Sequence, residues 1–177
     1  MKSILSALFL SFSVAACSAS APADTQALGS LHVSDPWSKA TPPNARVAGG
    51  FVTIYNRGDT DDRLLRVEST ASRRVEIHEM NDVDGVARMR ELAGGLPLPA
   101  GQATTLQPGG LHLMFIEPKQ PFVEGQSVQA TLVFEKAGRL ATEFKVRPIN
   151  ATNVGGKGQG HHRTASASRR ILRNHHA

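Results

Sequence analysis

The chain has 177 residues and a net charge of +5, and its length fits one domain of ordinary size with appendages. The five excess positive charges all lie in residues 151–177, which hold no acid, whereas residues 1–150 carry 15 charges of each sign. The positive charge therefore belongs to a tail, which argues against a nucleic acid partner for the domain. The single cysteine excludes an internal disulfide, a C-x-x-C pair and a cysteine-based zinc site.

Residues 1–16 have the pattern of a secretory signal peptide: a positive start, an apolar stretch too short to span a membrane, and small residues after it. Two cleavage sites are alternatives. Residues 14–17 (VAAC) resemble the bacterial lipoprotein box, which would make Cys17 a lipidated membrane tether, whereas residues 21–23 (APA) fit ordinary signal peptidase. Both alternatives predict a linker over residues 17–29 and a folded part in the periplasm or elsewhere outside the cytoplasmic membrane.

Between residues 30 and 148, short apolar runs alternate with turn signals rich in Gly, Pro, Asn and Asp, and no stretch has sustained helical periodicity. This spacing predicts an all-β domain, a Greek-key β-barrel or sandwich of about seven to nine short strands. The predicted strands are residues 31–33, 47–56, 63–68, 74–80, 86–91, 103–106, 112–116, 127–133 and 140–146. The predicted core aromatics are Trp37, Phe51, Tyr55, Phe115, Phe122, Phe134 and Phe144.

One predicted hairpin collects sulfur and imidazole groups. Alternation along the strand places His78 and Met80 on the face opposite its aliphatic residues. Asp84 and Gly85 are a strong two-residue turn signal, and a turn centred there pairs Met80 with Met89. The same register puts His78 diagonally across from Met89. One face of the hairpin is therefore predicted to carry a histidine and two thioethers.

A second predicted strand repeats the His-x-Met pattern, with His112 and Met114 opposite its aliphatic side chains. A lone methionine in a strand is more often core filler, and a lone histidine is usually a surface or hydrogen-bonded residue. Here, however, every methionine after the initiator lies on a non-aliphatic face near a histidine. Imidazole and thioether without thiolate suit Cu(I), and the absence of cysteine from the domain excludes a blue-copper electron-transfer centre.

At these residues the chain resembles the periplasmic copper chaperones of the PCu(A)C family, whose motif is His, ten residues, Met, about twenty-one residues, His-x-Met. In this sequence 10 residues separate His78 from Met89, and 22 separate Met89 from His112. The resemblance extends over roughly residues 30–147. Further matching blocks are Asp35-Pro36-Trp37, Ala48-Gly49-Gly50-Phe51, Pro99-Ala100-Gly101 and Pro108-Gly109-Gly110-Leu111.

The resemblance implies a cupredoxin-like barrel that binds one Cu(I) at an exposed site through His78, Met89, His112 and Met114, with Met80 beside the ligands rather than among them. It also implies that the copper passes to the CuA centre of cytochrome c oxidase subunit II, directly or with a Sco-type thiol protein. We expect a monomer, and a copper-bridged dimer is the alternative, because an exposed site can accept a ligand from a neighbour.

Residues 149–177 are rich in Gly, Ser, Ala, Arg and His, a composition that predicts a disordered tail. Its two histidine pairs suit Cu(II) better than Cu(I), because no methionine accompanies them. The alternative is a solvated basic tail that touches anionic membrane surfaces. The four histidines are His161, His162, His175 and His176.

Three functions compete at this level: copper transfer, copper sequestration or storage for periplasmic copper homeostasis, and a β-sandwich interaction module without metal. Transfer predicts one copper per domain, storage predicts several, and an interaction module predicts no copper dependence. No nucleophile elbow, paired acid/base block or phosphate loop is present in the sequence, so we do not expect an enzyme.

Overall fold

The computed structural model describes residues 25–152, without the side chains of residues 82 and 83. These residues form eleven strands and no helix, and none of them belongs to a helix that could cross a membrane. The predicted signal peptide, Cys17 and the four tail histidines lie outside the described residues. The strands are β1 (Thr25–Leu28), β2 (Leu31–Lys39), β3 (Val47–Asn56), β4 (Asp62–Glu68), β5 (Ser72–Val83), β6 (Val86–Glu91), β7 (Leu96–Leu98), β8 (Ala103–Leu106), β9 (His112–Pro118), β10 (Ser127–Phe134) and β11 (Arg139–Arg147).

Seven of the strands close into a barrel. They follow the order β2-β11-β10-β4-β5-β9-β3, and the pairing of β3 with β2 completes the ring. The pairs are antiparallel except for β2 with β11, which is parallel. The remaining strands β1, β6, β7 and β8 pair with β2, β5, β4 and β3 respectively. Closure leaves no free edge in the barrel itself, and the predicted all-β, cupredoxin-like fold class is confirmed.

The core follows from strand alternation, because every second side chain of each barrel strand points inward. Phe115 is fully buried and meets Phe122 and Phe144 edge-on, with ring centroids 5.4 and 5.8 Å away. Six of the seven predicted core aromatics are buried. The exception is Tyr55, which is half-buried and lies 5.4 Å from the guanidinium of Arg57.

The structure corrects two predicted boundaries and adds one strand. The linker predicted over residues 17–29 ends earlier, because Thr25–Leu28 pairs with the start of β2 and extends the sheet. Strand β2 continues to Lys39, past the bulge between Ser34 and Trp37, where Asp35 has a φ of 51°. The short strand Leu96–Leu98 was not predicted, because its Leu-Pro-Leu sequence is a poor strand signal.

Candidate metal centre

The β5–β6 hairpin is the first element that positions the site. Asp84 and Gly85 have φ angles of 57° and 78°, both in the left-handed region that a two-residue type I′ turn requires. This turn places Met80 opposite Met89, and His78 with Glu91 is the next pair on the same face of the hairpin. The predicted turn and the predicted pairing of the two methionines are confirmed, and Met89 lies diagonally across from His78.

Strand β9 adds the second His-x-Met from the other side of β5. His78 pairs with His112, and Glu76 pairs with Met114. Directly paired residues share a face of the sheet, so the register brings two imidazoles, three thioethers and two carboxylates onto one face of β6, β5 and β9. The members of this donor face are Glu76, His78, Met80, Met89, Glu91, His112 and Met114. The opposite face of β5 and β9 faces the core.

Solvent exposure of the side chains increases across the donor face, from the two histidines to Met89. His112 is 9% exposed and the His78 side chain 12% exposed, with ring centroids 5.8 Å apart. Met80 and Met114 are half-buried, whereas Met89 is 51% exposed on β6. The imidazoles therefore form the base of the donor face and Met89 its solvent edge. A metal bound there would be accessible to a partner protein from the side of the hairpin.

Hydrogen bonds fix which nitrogen of His112 is available. Its Nδ1 lies 2.8 Å from the carbonyl oxygen of Gly110. A carbonyl only accepts, so Nδ1–H is the donor and the lone pair is on Nε2. A backbone partner on the second nitrogen is the usual way in which proteins orient a metal-binding imidazole. His112 is thus oriented with Nε2 as the nitrogen through which it could hold a metal.

His78 is held by a carboxylate instead. Its Nε2 lies 2.9 Å from Oε2 of Glu76, whose other oxygen accepts from Arg74 Nε at 2.6 Å. The hydrogen bond from His78, followed by that from Arg74, keeps the pKa of Glu76 below its usual range, although burial raises it. Glu76 is therefore ionised at neutral pH and accepts a hydrogen bond from Nε2–H of His78. The lone pair of His78 is then on Nδ1, which is buried and has no partner among the described residues.

The sequence predictions missed Glu76 and Glu91. Both could have been found from alternation and the hairpin turn: Glu76 lies two residues before His78, and the Asp84-Gly85 turn places Glu91 opposite His78. One ligand atom from each of Glu76, His78 and Glu91 lies within 4.8 Å of the others. The donor face therefore offers oxygen ligands as well as nitrogen and sulfur.

Valine in place of Gly85 should open the hairpin, because a β-branched side chain at a φ of 78° is strained by about 1–3 kcal/mol. Strand β6 is exposed along its whole length and pairs only with β5 among the described strands, so little else holds it. Amide hydrogen exchange by NMR should show protection in β6 reduced by about tenfold or more. Gly101→Val is the matched control: its φ is 68° and its Cβ also meets open space. Unchanged β6 protection in Gly85→Val, or equal loss in the control, would contradict the role of the turn.

A closed seven-stranded barrel with extra strands and no helix among residues 25–152 defines a cupredoxin-like domain. Residues 31–146 match the family model described as "Putative lipoprotein LpqE-like". The chain belongs to this LpqE-like family, which is the PCuAC family. The resemblance in the sequence is thereby confirmed.

Individual relatives agree with this assignment. A protein of Leifsonia xyli subsp. xyli, "Putative lipoprotein Lxx21020", is 28% identical over 146 residues, which cover 80% of this chain and 87% of the relative. The copper-bound PCuAC domain from PmoF2 is 27% identical with a TM-score of 0.60, covering 70% of this chain and 97% of the domain. The solution structure of CuI-DR1885 from Deinococcus radiodurans, at 23% identity and a TM-score of 0.56, shares the fold over 73% of this chain and 84% of its own.

Proposed function

We propose that the protein is an extracytoplasmic copper chaperone that binds one Cu(I) through His78, Met89, His112 and Met114. The observation that carries the proposal is the register of three adjacent strands, which places these four side chains on one face. The similar structures include a copper-bound PCuAC domain from PmoF2 and the Cu(I) form of DR1885. Met80, opposite Met89, is assigned a place beside the ligands.

The donor chemistry supports Cu(I) as the cargo. Thioether and imidazole are neutral ligands, and thioether is soft, which suits Cu(I) and not Mg²⁺, Ca²⁺ or structural zinc. The described residues contain no cysteine, since Cys17 lies before them. A recipient that offers thiolates would therefore bind Cu(I) more strongly than this site does. The exposed Met89 gives such a recipient a ligand that can be displaced first.

We assign the recipient to cytochrome c oxidase assembly: the CuA centre of subunit II, reached directly or with a Sco-type thiol protein. Export supports this location, because residues 1–16 read as a signal peptide and a similar protein and the family model carry lipoprotein names. In this proposal Cys17, if lipidated, tethers the domain to the membrane at which the oxidase is assembled. The tethered protein acts as a monomer.

Cu(I) titration and X-ray absorption on the loaded full-length protein test the proposal. We expect one Cu(I) per chain with two sulfur and two nitrogen scatterers, and reduced CuA content in the oxidase of a deletion strain. Several coppers per chain, with normal oxidase in the deletion strain, would instead support sequestration or storage. A loaded dimer with one copper between two chains would replace the monomer with a copper-bridged pair.

A further inference from the structure

We propose that Glu76, His78 and Glu91 form a second ligand set on the donor face, for a divalent first-row cation and above all Cu(II). This set shares only His78 with the Cu(I) set and contains no sulfur. It goes beyond the proposed function and does not depend on it, because it needs neither methionine nor His112.

The spacing of two of the ligand atoms fits a metal without rearrangement. His78 Nε2 and Glu76 Oε2 are 2.9 Å apart. Two ligands at right angles, each about 2.05 Å from a metal, are separated by about 2.9 Å, whereas a tetrahedral angle requires about 3.3 Å. A cation can therefore lie between these atoms in a tetragonal or octahedral geometry, with the Nε2 lone pair as ligand and the ring proton moved from Nε2 to Nδ1. Cu(II) prefers tetragonal nitrogen and oxygen sites and binds most strongly among the divalent first-row ions.

The third ligand is poised to complete the set. Glu91 lies directly opposite His78 on β6, and its carboxylate is within 4.8 Å of the ligand atoms of the other two residues. It accepts no hydrogen bond and forms no ion pair with any residue in the described part of the chain, so binding a cation breaks no existing contact. The exposed position of Glu91 leaves the remaining coordination positions open to water.

Charge and orientation favour a divalent ion here. Two carboxylates supply the two negative charges that neutralise Cu(II), which the thioethers cannot do. Arg74 binds Oε1 of Glu76 and so fixes the carboxylate while leaving Oε2 toward His78. Nδ1 of His78 is buried and has no partner among the described residues, so hydrogen bonds do not use the full capacity of this ring. The two ligand sets thus draw on different nitrogens of one imidazole.

The test uses the full-length chain with alanine at the four tail histidines, so that Cu(II) bound by the tail does not contribute. Cu(II) affinity is measured by titration against glycine as competitor, with EPR of the bound ion, and Cu(I) affinity is measured against a colorimetric chelator. The variants are Glu76→Gln and Glu91→Gln, which remove charge without changing shape. The matched control is Glu79→Gln, on the other face of β5, where the carboxylate pairs with Arg90 at 2.7 Å.

We expect Glu76→Gln and Glu91→Gln each to weaken Cu(II) binding by at least about tenfold and to change the EPR signal. Cu(I) affinity should stay within about twofold of the parent in Glu91→Gln, whereas Glu76→Gln also removes the carboxylate that orients His78 and should weaken Cu(I) binding as well. Unchanged Cu(II) affinity in both variants, or an equal loss in Glu79→Gln, would overturn the second ligand set. Failure of the proposed function is a separate result: Cu(I) binding that survives loss of Met89 and Met114 refutes the Cu(I) site and leaves the carboxylate set standing.

Discussion

Replacing Met89 and Met114 together by leucine is expected to abolish high-affinity Cu(I) binding while leaving the barrel folded. The two thioethers reach the donor face from different strands, β6 and β9, so no neighbouring sulfur can replace both. Cu(I) affinity should fall by more than about a hundredfold, because removing only a hydrogen-bond partner of a metal ligand already costs up to about a hundredfold. Methionine to leucine conserves volume and costs less than about 1.5 kcal/mol, and Met89 is half-exposed.

Competition against a Cu(I) chelator measures the affinity, and urea unfolding of the copper-free protein shows whether the fold is intact. Met80→Leu is the matched control, because Met80 lies on the same face opposite Met89 but is assigned no bond to copper. The Cu(I) affinity of Met80→Leu should lie within about tenfold of that of the parent protein. An unchanged titration in the double variant would refute the ligand assignment, and a large loss in Met80→Leu would move Met80 into the ligand set.

The hairpin shows how much of the site could be predicted from local sequence. Asp84 and Gly85 dictate a two-residue turn, the turn dictates the register, and the register brings Met80 and Met89 together. Alternation along β9 likewise places Leu113 and Phe115 in the core, with His112 on the other face. These features depend on residues within a few positions of one another, so the sequence is sufficient to predict them.

The pairing of His78 with His112 could not be predicted in this way. Strands β5 and β9 are separated by the turn, β6, β7 and β8, and no short turn sets their register. That register depends on closure of the barrel and on burial of Ile77 and Leu113 on the inner face. Strand β1 was not predicted for a related reason: Thr25–Leu28 is a four-residue edge segment that becomes a strand only because β2 offers it a partner.

Alanine in place of Phe115 is expected to lower the free energy of unfolding by about 3–5 kcal/mol, a large part of the 5–15 kcal/mol typical of a domain. The ring is fully buried between Phe122 and Phe144. Urea unfolding measures the loss, and Val123→Ala, at a side chain 50% exposed, should change stability by no more than about 0.5 kcal/mol. Since His112 and Met114 lie on the opposite face of β9, the folded variant should still bind Cu(I).

Gly50 turns this prediction into a test of the packing itself. A Cβ on Gly50 would lie 2.6 Å from Cε2 of Phe115, so Gly50→Ala should cost about 1–3 kcal/mol in the parent protein. When Phe115 is already alanine that clash is gone and only a 3.3 Å approach to Leu113 Cβ remains. The same change should then cost less than about 1 kcal/mol, because alanine also restricts the unfolded chain. The two costs must therefore be strongly non-additive. Additive costs would contradict the contact between β3 and the Phe115 ring, which packs the inner side of the strand that bears His112 and Met114.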